Sequence, residues 1–395
     1  MKKKVKNNVY WLGKVDWELR RFHGDEYSTH NGSTYNSYLI KEEKNILIDT
    51  VWIPFAAEFV HNLSEEIDLN KIDYIIINHG EIDHSGALPE LMKHIPDTPI
   101  YCTANAVKSL KGHYHQDWNF NIVKTGDKLD IGNGKELVFV EMPMLHWPDS
   151  MAVYLTGDNI LFSNDAFGQH YATELLFNDQ VDQCDLFKES MKYYANILAP
   201  FSHILRKKLD EIMAMNLVIE IIATSHGIIW RDNPMRIVEK YMEWSGNYQE
   251  NQITIVYDTM WNGTKVLAEK IAEGIAYEDQ NVVIKLFNLA KSDINDVTTE
   301  VFKSKTVVVG SPTIGNSILH SIAAFISYIK TLKFKDKKAA GFGCYGWSGE
   351  SPKIIVELMK DAGFEIIGEA FGNQWNPDED AKKSAVEFGK EIARY

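Results

Sequence analysis

The chain has 395 residues, of which 45% are hydrophobic and 24% are charged, and this composition excludes a disordered or fibrous protein. Its 41 lysines and arginines against 55 aspartates and glutamates leave a net charge of −14, which disfavours binding to nucleic acid or to an anionic membrane. The lysine-rich start leads into polar residues, and no later apolar run reaches the roughly 18 residues of a membrane span. We therefore expect a cytoplasmic protein.

The cysteines limit the kinds of metal site that the chain can form, and the length limits the number of domains. Cys102, Cys184 and Cys344 lie far apart, which excludes a disulfide framework and a thiolate-ligated iron site within one chain. Any iron would need nitrogen and oxygen ligands. The length is sufficient for two or three domains with cores of their own.

The first part of the chain, to about residue 230, has short strand-like runs with helix-period stretches between them. The predicted strands include 37–40, 45–49, 73–78, 137–141 and 151–155. The predicted helices are 54–66, 86–93, 104–114 and 183–215. Strands in runs with helices outside them predict an α/β sandwich.

The second part alternates strands and helices regularly, which predicts an open parallel sheet with right-handed crossovers. The predicted strands are 253–257, 282–286, 306–310, 338–343 and 365–370, and the predicted helices are 263–276, 293–302, 316–330, 351–362 and 378–393. The change of pattern places a domain boundary between residues 249 and 250. Lys333, Lys335, Lys337 and Lys338 are predicted to form a solvated turn between a helix and a strand.

Potential metal ligands follow the predicted strands of the first domain. Residues 78–84 read Asn-His-Gly-Glu-Ile-Asp-His, and single candidates follow three later strands. The seven candidate ligands are His79, Glu81, Asp83, His84, His146, Asp165 and His226. Strand ends are where this architecture gathers side chains from distant parts of the sequence, so four imidazoles and three carboxylates are expected to converge.

This motif resembles the metal motif of the metallo-β-lactamase fold, except that Glu81 stands where most hydrolases of that superfamily have histidine. With that carboxylate the site is richer in oxygen and suits two irons better than zinc. The pattern is similar to that of flavodiiron proteins. The resemblance implies that one iron takes His79, Glu81 and His146, that the other takes Asp83, His84 and His226, and that Asp165 bridges them.

Other residues of the first domain are weaker candidates for a role at the metal centre. His170, Tyr193 and Tyr194 are candidates to orient the ligands or to supply protons. Five other histidines are expected to be hydrogen-bonded core or surface residues: His23, His61, His94, His113 and His203.

The second domain opens with a phosphate cradle. Its first strand runs into residues 258–264, Asp-Thr-Met-Trp-Asn-Gly-Thr, where the Thr259 and Thr264 hydroxyls and a helix N-terminus can hold a phosphate monoester. The loop resembles that of flavodoxin, although Trp261 and Asn262 replace its usual Thr and Gly. A response-regulator-like or other nucleotide-binding α/β domain, with aromatic residues that merely pack, is the alternative.

Two later loops at the same sheet edge support a flavin site. Glycines there let the backbone approach a planar ring, which Tyr345 and Trp347 flank. FMN is favoured over FAD because no second mononucleotide half follows. The predicted contacts are Thr259, Met260, Trp261, Asn262, Gly263, Thr264, Ser311, Pro312, Thr313, Ile314, Gly315, Asn316, Cys344, Tyr345, Gly346, Trp347, Ser348 and Gly349.

The resemblance to flavodiiron proteins spans residues 10–395 and implies a minimal two-domain form. It implies a reductase of dioxygen to water and/or of nitric oxide to nitrous oxide, with electrons passing through FMN from an external donor such as rubredoxin. It also implies a head-to-tail homodimer or a dimer of dimers. The alternatives are a zinc-dependent hydrolase with an accessory flavodoxin domain and a non-catalytic electron-carrying flavoprotein.

Overall fold

The computed structural model describes residues 2–395, and its contacts divide the chain into two compact units. The first unit contains the residues up to Tyr193 together with Phe201–Met242. The second contains Tyr194–Pro200 and Glu243–Tyr395. The boundary between residues 249 and 250, which divides a predicted diiron domain, 1–249, from a predicted FMN-binding domain, 250–395, stays a prediction.

Two sheets form the centre of the first unit. The first sheet has the strand order Lys3–Lys6, Val9–Trp11, Tyr38–Lys41, Asn45–Ile48, Tyr74–Ile76, Ile100–Cys102 and Phe120–Ile122. The second has the order Lys128–Gly132, Lys135–Glu141, Met151–Leu155, Ile160–Asn164 and Ile221–Thr224. Two small two-stranded sheets complete the strands: Lys14–Asp16 pairs with Ser33–Tyr35, and Arg21–Phe22 pairs with Tyr27–Ser28.

The alternation of side chains along each strand explains the layers. Ile46 and Ile48 are buried in the core between the two sheets, together with Phe162 of the second sheet. Leu47 points to the opposite side, where it packs with Phe59 beneath the outer helices. The predicted sandwich is therefore confirmed, with a metallo-β-lactamase-like arrangement of layers.

The helix predicted over 104–114 is confirmed, and the other three predicted helices of this unit are shorter or interrupted. Those in the first 242 residues are Ala56–Glu66, Ile82–Ser85, Leu88–Leu91, Ala104–Tyr114, Gln183–Tyr193 and Ser202–Ala214, and Met235–Trp244 follows them. The single helix predicted over 183–215 was wrong, because the π-helical turn Tyr194–Leu198 and the 3-10 turn Ala199–Phe201 interrupt it. Pro200, which has no N–H to donate, lies at that interruption.

The second unit is a doubly wound parallel sheet, as predicted. Its strand order is Val283–Asn288, Glu250–Tyr257, Ser304–Gly310 and Lys338–Tyr345, and the last of these pairs with both Glu365–Ile366 and Phe371–Gln374. The final predicted strand, 365–370, covers only the first of these two short strands, and a bend at Gly368, whose φ is +63°, separates it from the second. The helices are Gly263–Glu278, Ile294–Lys303, His320–Leu332, Ser351–Asp361 and Glu379–Arg394.

Two features of this unit contradict or extend the sequence analysis. The predicted solvated turn was wrong for Lys337, which is only 2% exposed and donates hydrogen bonds to the carbonyls of Phe302 and Ser304. Gly274 and Gly389 let the first and last helices meet, since a Cβ on Gly274 would lie 2.0 Å from a backbone oxygen of the other helix. None of the helices in residues 2–395 is long and apolar enough to cross a membrane.

Candidate metal centre and flavin site

The seven candidate ligands converge around one carboxylate, that of Asp165. Its Oδ2 lies 3.7 Å from His79 Nε2 and 3.5 Å from His146 Nε2. Its Oδ1 lies 3.2 Å from His84 Nε2 and 3.5 Å from His226 Nε2. The two oxygens of one side chain therefore face two different pairs of imidazoles.

The other two carboxylates divide between these pairs. Glu81 Oε2 lies 3.1 Å from His79 Nε2 and 3.7 Å from His146 Nε2. Asp83 Oδ2 lies 3.0 Å from His226 Nε2 and 3.6 Å from His84 Nε2. Two three-residue groups result, each with ligand atoms within 4.8 Å of one another: His79, Glu81 and His146 form one, and Asp83, His84 and His226 form the other.

Local structure explains how the first four ligands reach this point. His79 follows the strand Tyr74–Ile76, while Asp83 and His84 lie on the single helical turn Ile82–Ser85. Gly86 ends that turn against the backbone, because a Cβ there would come within 2.5 Å of the nitrogen of Ile53. Adjacent residues of this helical turn, Asp83 and His84, thereby both reach the centre.

The charge and burial of the centre fit metal cations. Oδ1 of Asp83 and Oδ2 of Asp165 are buried and have no hydrogen-bond partner within residues 2–395. Burial alone raises the pKa of Asp165, but the neighbouring imidazoles, that of His84 foremost, hold it well below its ordinary value. Burial alone lowers the pKa of His84, but Asp83 and Asp165 raise it to about 9. Buried carboxylates that stay charged are the donors that bound cations require.

Three residues outside the predicted set hold the ligands in place. Asp149 Oδ1 accepts a hydrogen bond from His79 Nδ1 at 2.9 Å, and the carbonyl of Thr34 accepts one from His226 Nδ1 at 2.6 Å. His23 Nε2 lies 3.0 Å from Glu81 Oε1. The contacts of Nδ1 leave Nε2 of His79 and of His226 as the atom that faces the centre. Asp149 lies three residues after His146 in the same loop, but no sequence pattern links it to His79.

The weaker candidates differ in their surroundings. His170 is buried, forms a hydrogen bond with Ser33 at 2.7 Å and has its ring 5.3 Å from those of His226 and Tyr193. Burial lowers the pKa of His170 well below its ordinary value, so its imidazole is neutral. Tyr194 instead packs against Trp244 and Phe302 and is grouped with the second unit. Four histidines that were expected to lie outside the site, His61, His94, His113 and His203, are exposed.

A cavity of about 630 Å³ lies at the carboxyl ends of the strands of the second unit. The residues that line it are Thr259, Met260, Trp261, Gly263, Thr264, Pro312, Thr313, Ile314, Gly315, Asn316, Cys344, Tyr345, Gly346, Trp347, Ser348, Trp375 and Asn376. All three predicted loops contribute to it, as expected where parallel strands end at one edge.

Three predicted contacts do not line the cavity. Asn262 precedes the first helix with φ at +65°, Ser311 is buried behind the second loop, and Gly349 lies against the ring of Tyr345. Trp375 and Asn376 line it although the sequence analysis did not include them. They follow the strand Phe371–Gln374, which was misplaced in the prediction.

The cradle end of the cavity fits a phosphate. The hydroxyl oxygens of Thr259 and Thr264 are buried without a hydrogen-bond partner among residues 2–395, apart from the weak thiol of Cys344 beside Thr264. No side chain caps the helix that begins at Gly263, so its first N–H groups are available as well. Buried donors without acceptors are costly unless a ligand satisfies them.

Two family models match the chain, one in each unit. Residues 34–227 match the ODP family of beta lactamases, and residues 255–389 match the flavodoxin family. An anaerobic nitric oxide reductase flavorubredoxin from Escherichia coli (strain K12) is 58% identical over 391 residues, which cover 99% of this chain and 81% of that protein.

Solved structures show the same fold over the whole length. The rubredoxin oxygen:oxidoreductase of Desulfovibrio gigas has a TM-score of 0.95 and 33% identity, with 100% of this chain and 98% of that chain covered. The flavodiiron protein of Giardia intestinalis has a TM-score of 0.94 and 34% identity, with 100% and 96% covered.

The chain belongs to the flavodiiron protein family. It is an oxidoreductase, and neither the zinc-dependent hydrolase nor the non-catalytic flavoprotein is favoured. Membership in this family implies a flavin and a two-iron centre, and the side chains at the two sites fit these groups.

Proposed function

We propose that this flavodiiron protein reduces nitric oxide to nitrous oxide at two irons held by the seven candidate ligands, with electrons delivered through FMN in the cavity of the second unit. The arrangement around Asp165 supports the proposal most strongly, because its two oxygens face two separate groups of imidazoles and carboxylates. A site for a single metal does not require two separate groups of ligands on the two oxygens of one carboxylate.

The names of the relatives support two substrates. The name of the relative with 58% identity, a nitric oxide reductase, supports nitric oxide as the substrate. Dioxygen is the second candidate, because the Desulfovibrio gigas protein is named an oxygen oxidoreductase. Two nitric oxide molecules take up two electrons and two protons to give nitrous oxide and water, whereas one dioxygen takes up four of each to give two waters.

The roles of the residues follow from their contacts. A pair of irons, when bound, supplies electrons and open coordination positions to a small oxidant. Asp149 fixes the orientation of the His79 imidazole, and the carbonyl of Thr34 fixes that of the His226 imidazole. His170 and Tyr193 lie beside the centre as neutral side chains. Burial raises the pKa of Tyr193 well above its ordinary value and keeps its hydroxyl protonated.

The electron donor and the assembly complete the proposal. An external rubredoxin or a similar carrier reduces the FMN, in keeping with the names of two relatives. The protein acts in the cytoplasm as a head-to-tail homodimer or a dimer of dimers, which the family resemblance implies. Light scattering on the purified protein tests the assembly, and a monomer with full turnover contradicts it.

Metal analysis and anaerobic turnover of Asp165→Ala test the diiron assignment. We expect the variant to lose iron and more than about 100-fold of its nitric oxide turnover while FMN stays bound, since a carboxylate that serves both metals is removed. Asp179→Asn is the control, because Asp179 accepts two hydrogen bonds from Arg231 at the surface. Zinc without iron in the wild type, together with hydrolytic turnover, would contradict the proposal.

A further inference from the structure

Trp375 combines two unusual features at the mouth of the cavity. Its side chain is bulky and apolar, yet the residue is 62% exposed. Its φ is +58°, in the left-handed region that residues other than glycine, asparagine and aspartate rarely adopt. Backbone strain of this kind persists where surrounding contacts impose it, and it is frequent at ligand-binding loops.

The surrounding contacts are hydrogen bonds to the neighbouring loop and strand. The Trp375 N–H donates to the carbonyl of Tyr345 at 2.7 Å, and the Asn373 side chain donates to the Trp375 carbonyl at 3.0 Å. The Gln374 side chain donates to the carbonyl of Gly346 at 2.9 Å. Hydrogen bonds to the loop that contains Tyr345 and Gly346 therefore hold the backbone of Trp375 in this conformation.

The indole of Trp375 packs directly on Gly346. A Cβ added to Gly346 would lie 3.1 Å from Cζ3 and 3.3 Å from Cη2 of the ring, so the glycine makes room for the indole. The ring of Trp347, which is 86% exposed, has its centroid 6.4 Å from that of Trp375. Both indoles line the cavity, and both remain largely exposed in the structure of residues 2–395.

We propose that Trp375, packed on Gly346, is a flavin-binding residue that contacts the isoalloxazine ring of FMN. The inference rests on the proposed function, because it requires FMN in this cavity. A planar aromatic cofactor is the ligand that satisfies the site, since it can pack against the exposed indole while the buried Thr259 and Thr264 hydroxyls hold its phosphate. The strained backbone keeps the indole in position before the flavin arrives.

Titration of the FMN-free full-length protein with FMN tests the role of Trp375. Loss of one aromatic contact should raise the Kd of Trp375→Ala by about 2- to 12-fold. Trp375→Phe should recover most of that affinity, and the visible circular dichroism of bound FMN should change in Trp375→Ala. Trp17→Ala is the matched control, because Trp17 is an exposed tryptophan of the first unit.

A Kd and a dichroism spectrum of Trp375→Ala equal to those of Trp17→Ala would overturn the inference alone. A wild-type protein that does not bind FMN would overturn the proposed flavin site as well.

Discussion

Asp149 is the residue whose replacement separates the orientation of a ligand from the ligand itself. Its two oxygens accept hydrogen bonds from His79 Nδ1 at 2.9 Å and from the Gly80 N–H at 3.1 Å. Although burial by itself raises the pKa of Asp149, these hydrogen bonds and the charge of His79 hold it below its ordinary value. Asp149→Asn keeps the volume but places an NH₂ group against one of the two donors.

The size of the expected effect follows from these contacts. A hydrogen bond to a charged group contributes about 1.5–3 kcal/mol, which corresponds to roughly 10- to 150-fold in a binding constant. That range agrees with the roughly 10- to 100-fold loss of metal affinity seen when such supporting residues are changed. Because His79 serves one of the two metal positions, we expect Asp149→Asn to lose iron from one position before the other.

Iron content after graded exposure to a chelator measures the effect, with FMN content as an internal reference. Asp179→Asn again serves as the control, since its carboxylate also accepts two hydrogen bonds but lies at the surface. The reasoning is refuted if Asp149→Asn retains both irons at the same chelator concentration as the wild type and the control.

Two further predictions concern the second unit. The double variant of Thr259→Val and Thr264→Val should weaken FMN binding by about 100-fold or more, because two hydrogen bonds to a charged phosphate are lost, while iron content stays unchanged. Lys337→Met should change how stability depends on pH. Burial lowers the pKa of Lys337 to about 7, so between pH 7 and 10.5 the folded protein has released a proton that the unfolded chain still holds. The unfolding free energy of the wild type relative to Lys337→Met should therefore rise by about 2 kcal/mol from pH 7 to pH 9, as measured by urea denaturation.

Each of these predictions has a matched control in the same unit. Thr331→Val removes an exposed hydroxyl and should leave the Kd for FMN unchanged. Lys335→Met removes an exposed lysine and should leave the pH dependence of the wild type unchanged. Equal Kd values for the Thr259/Thr264 double variant and the control would contradict the phosphate cradle. Parallel stability curves for Lys337→Met and the wild type would contradict the shifted pKa.

Much of the metal centre was predictable because its ligands are tied to local patterns. His79, Glu81, Asp83 and His84 lie within six residues after one strand, and the later ligands each follow a strand of their own. A run of apolar residues that ends in polar ones indicates a strand end even when the partner strands are unknown. Chain positions alone therefore sufficed to nominate the residues.

The supporting residues were not predictable in this way. Asp149 contacts a histidine 70 positions away, and Thr34 contacts one 192 positions away. Such pairs depend on how strands and loops that are distant in the sequence come together in the fold, which local patterns do not specify.

The sequence by itself determined the two fold types, the order of the elements and the chemical character of both sites, because periodicity and strand-end positions are local properties. Only the tertiary structure decided that Lys337 is buried, that Trp375 belongs to the flavin cavity and that the helix predicted over 183–215 is interrupted. The physical reason is that burial and close packing are properties of residues brought together by folding, and no single segment of the chain carries them.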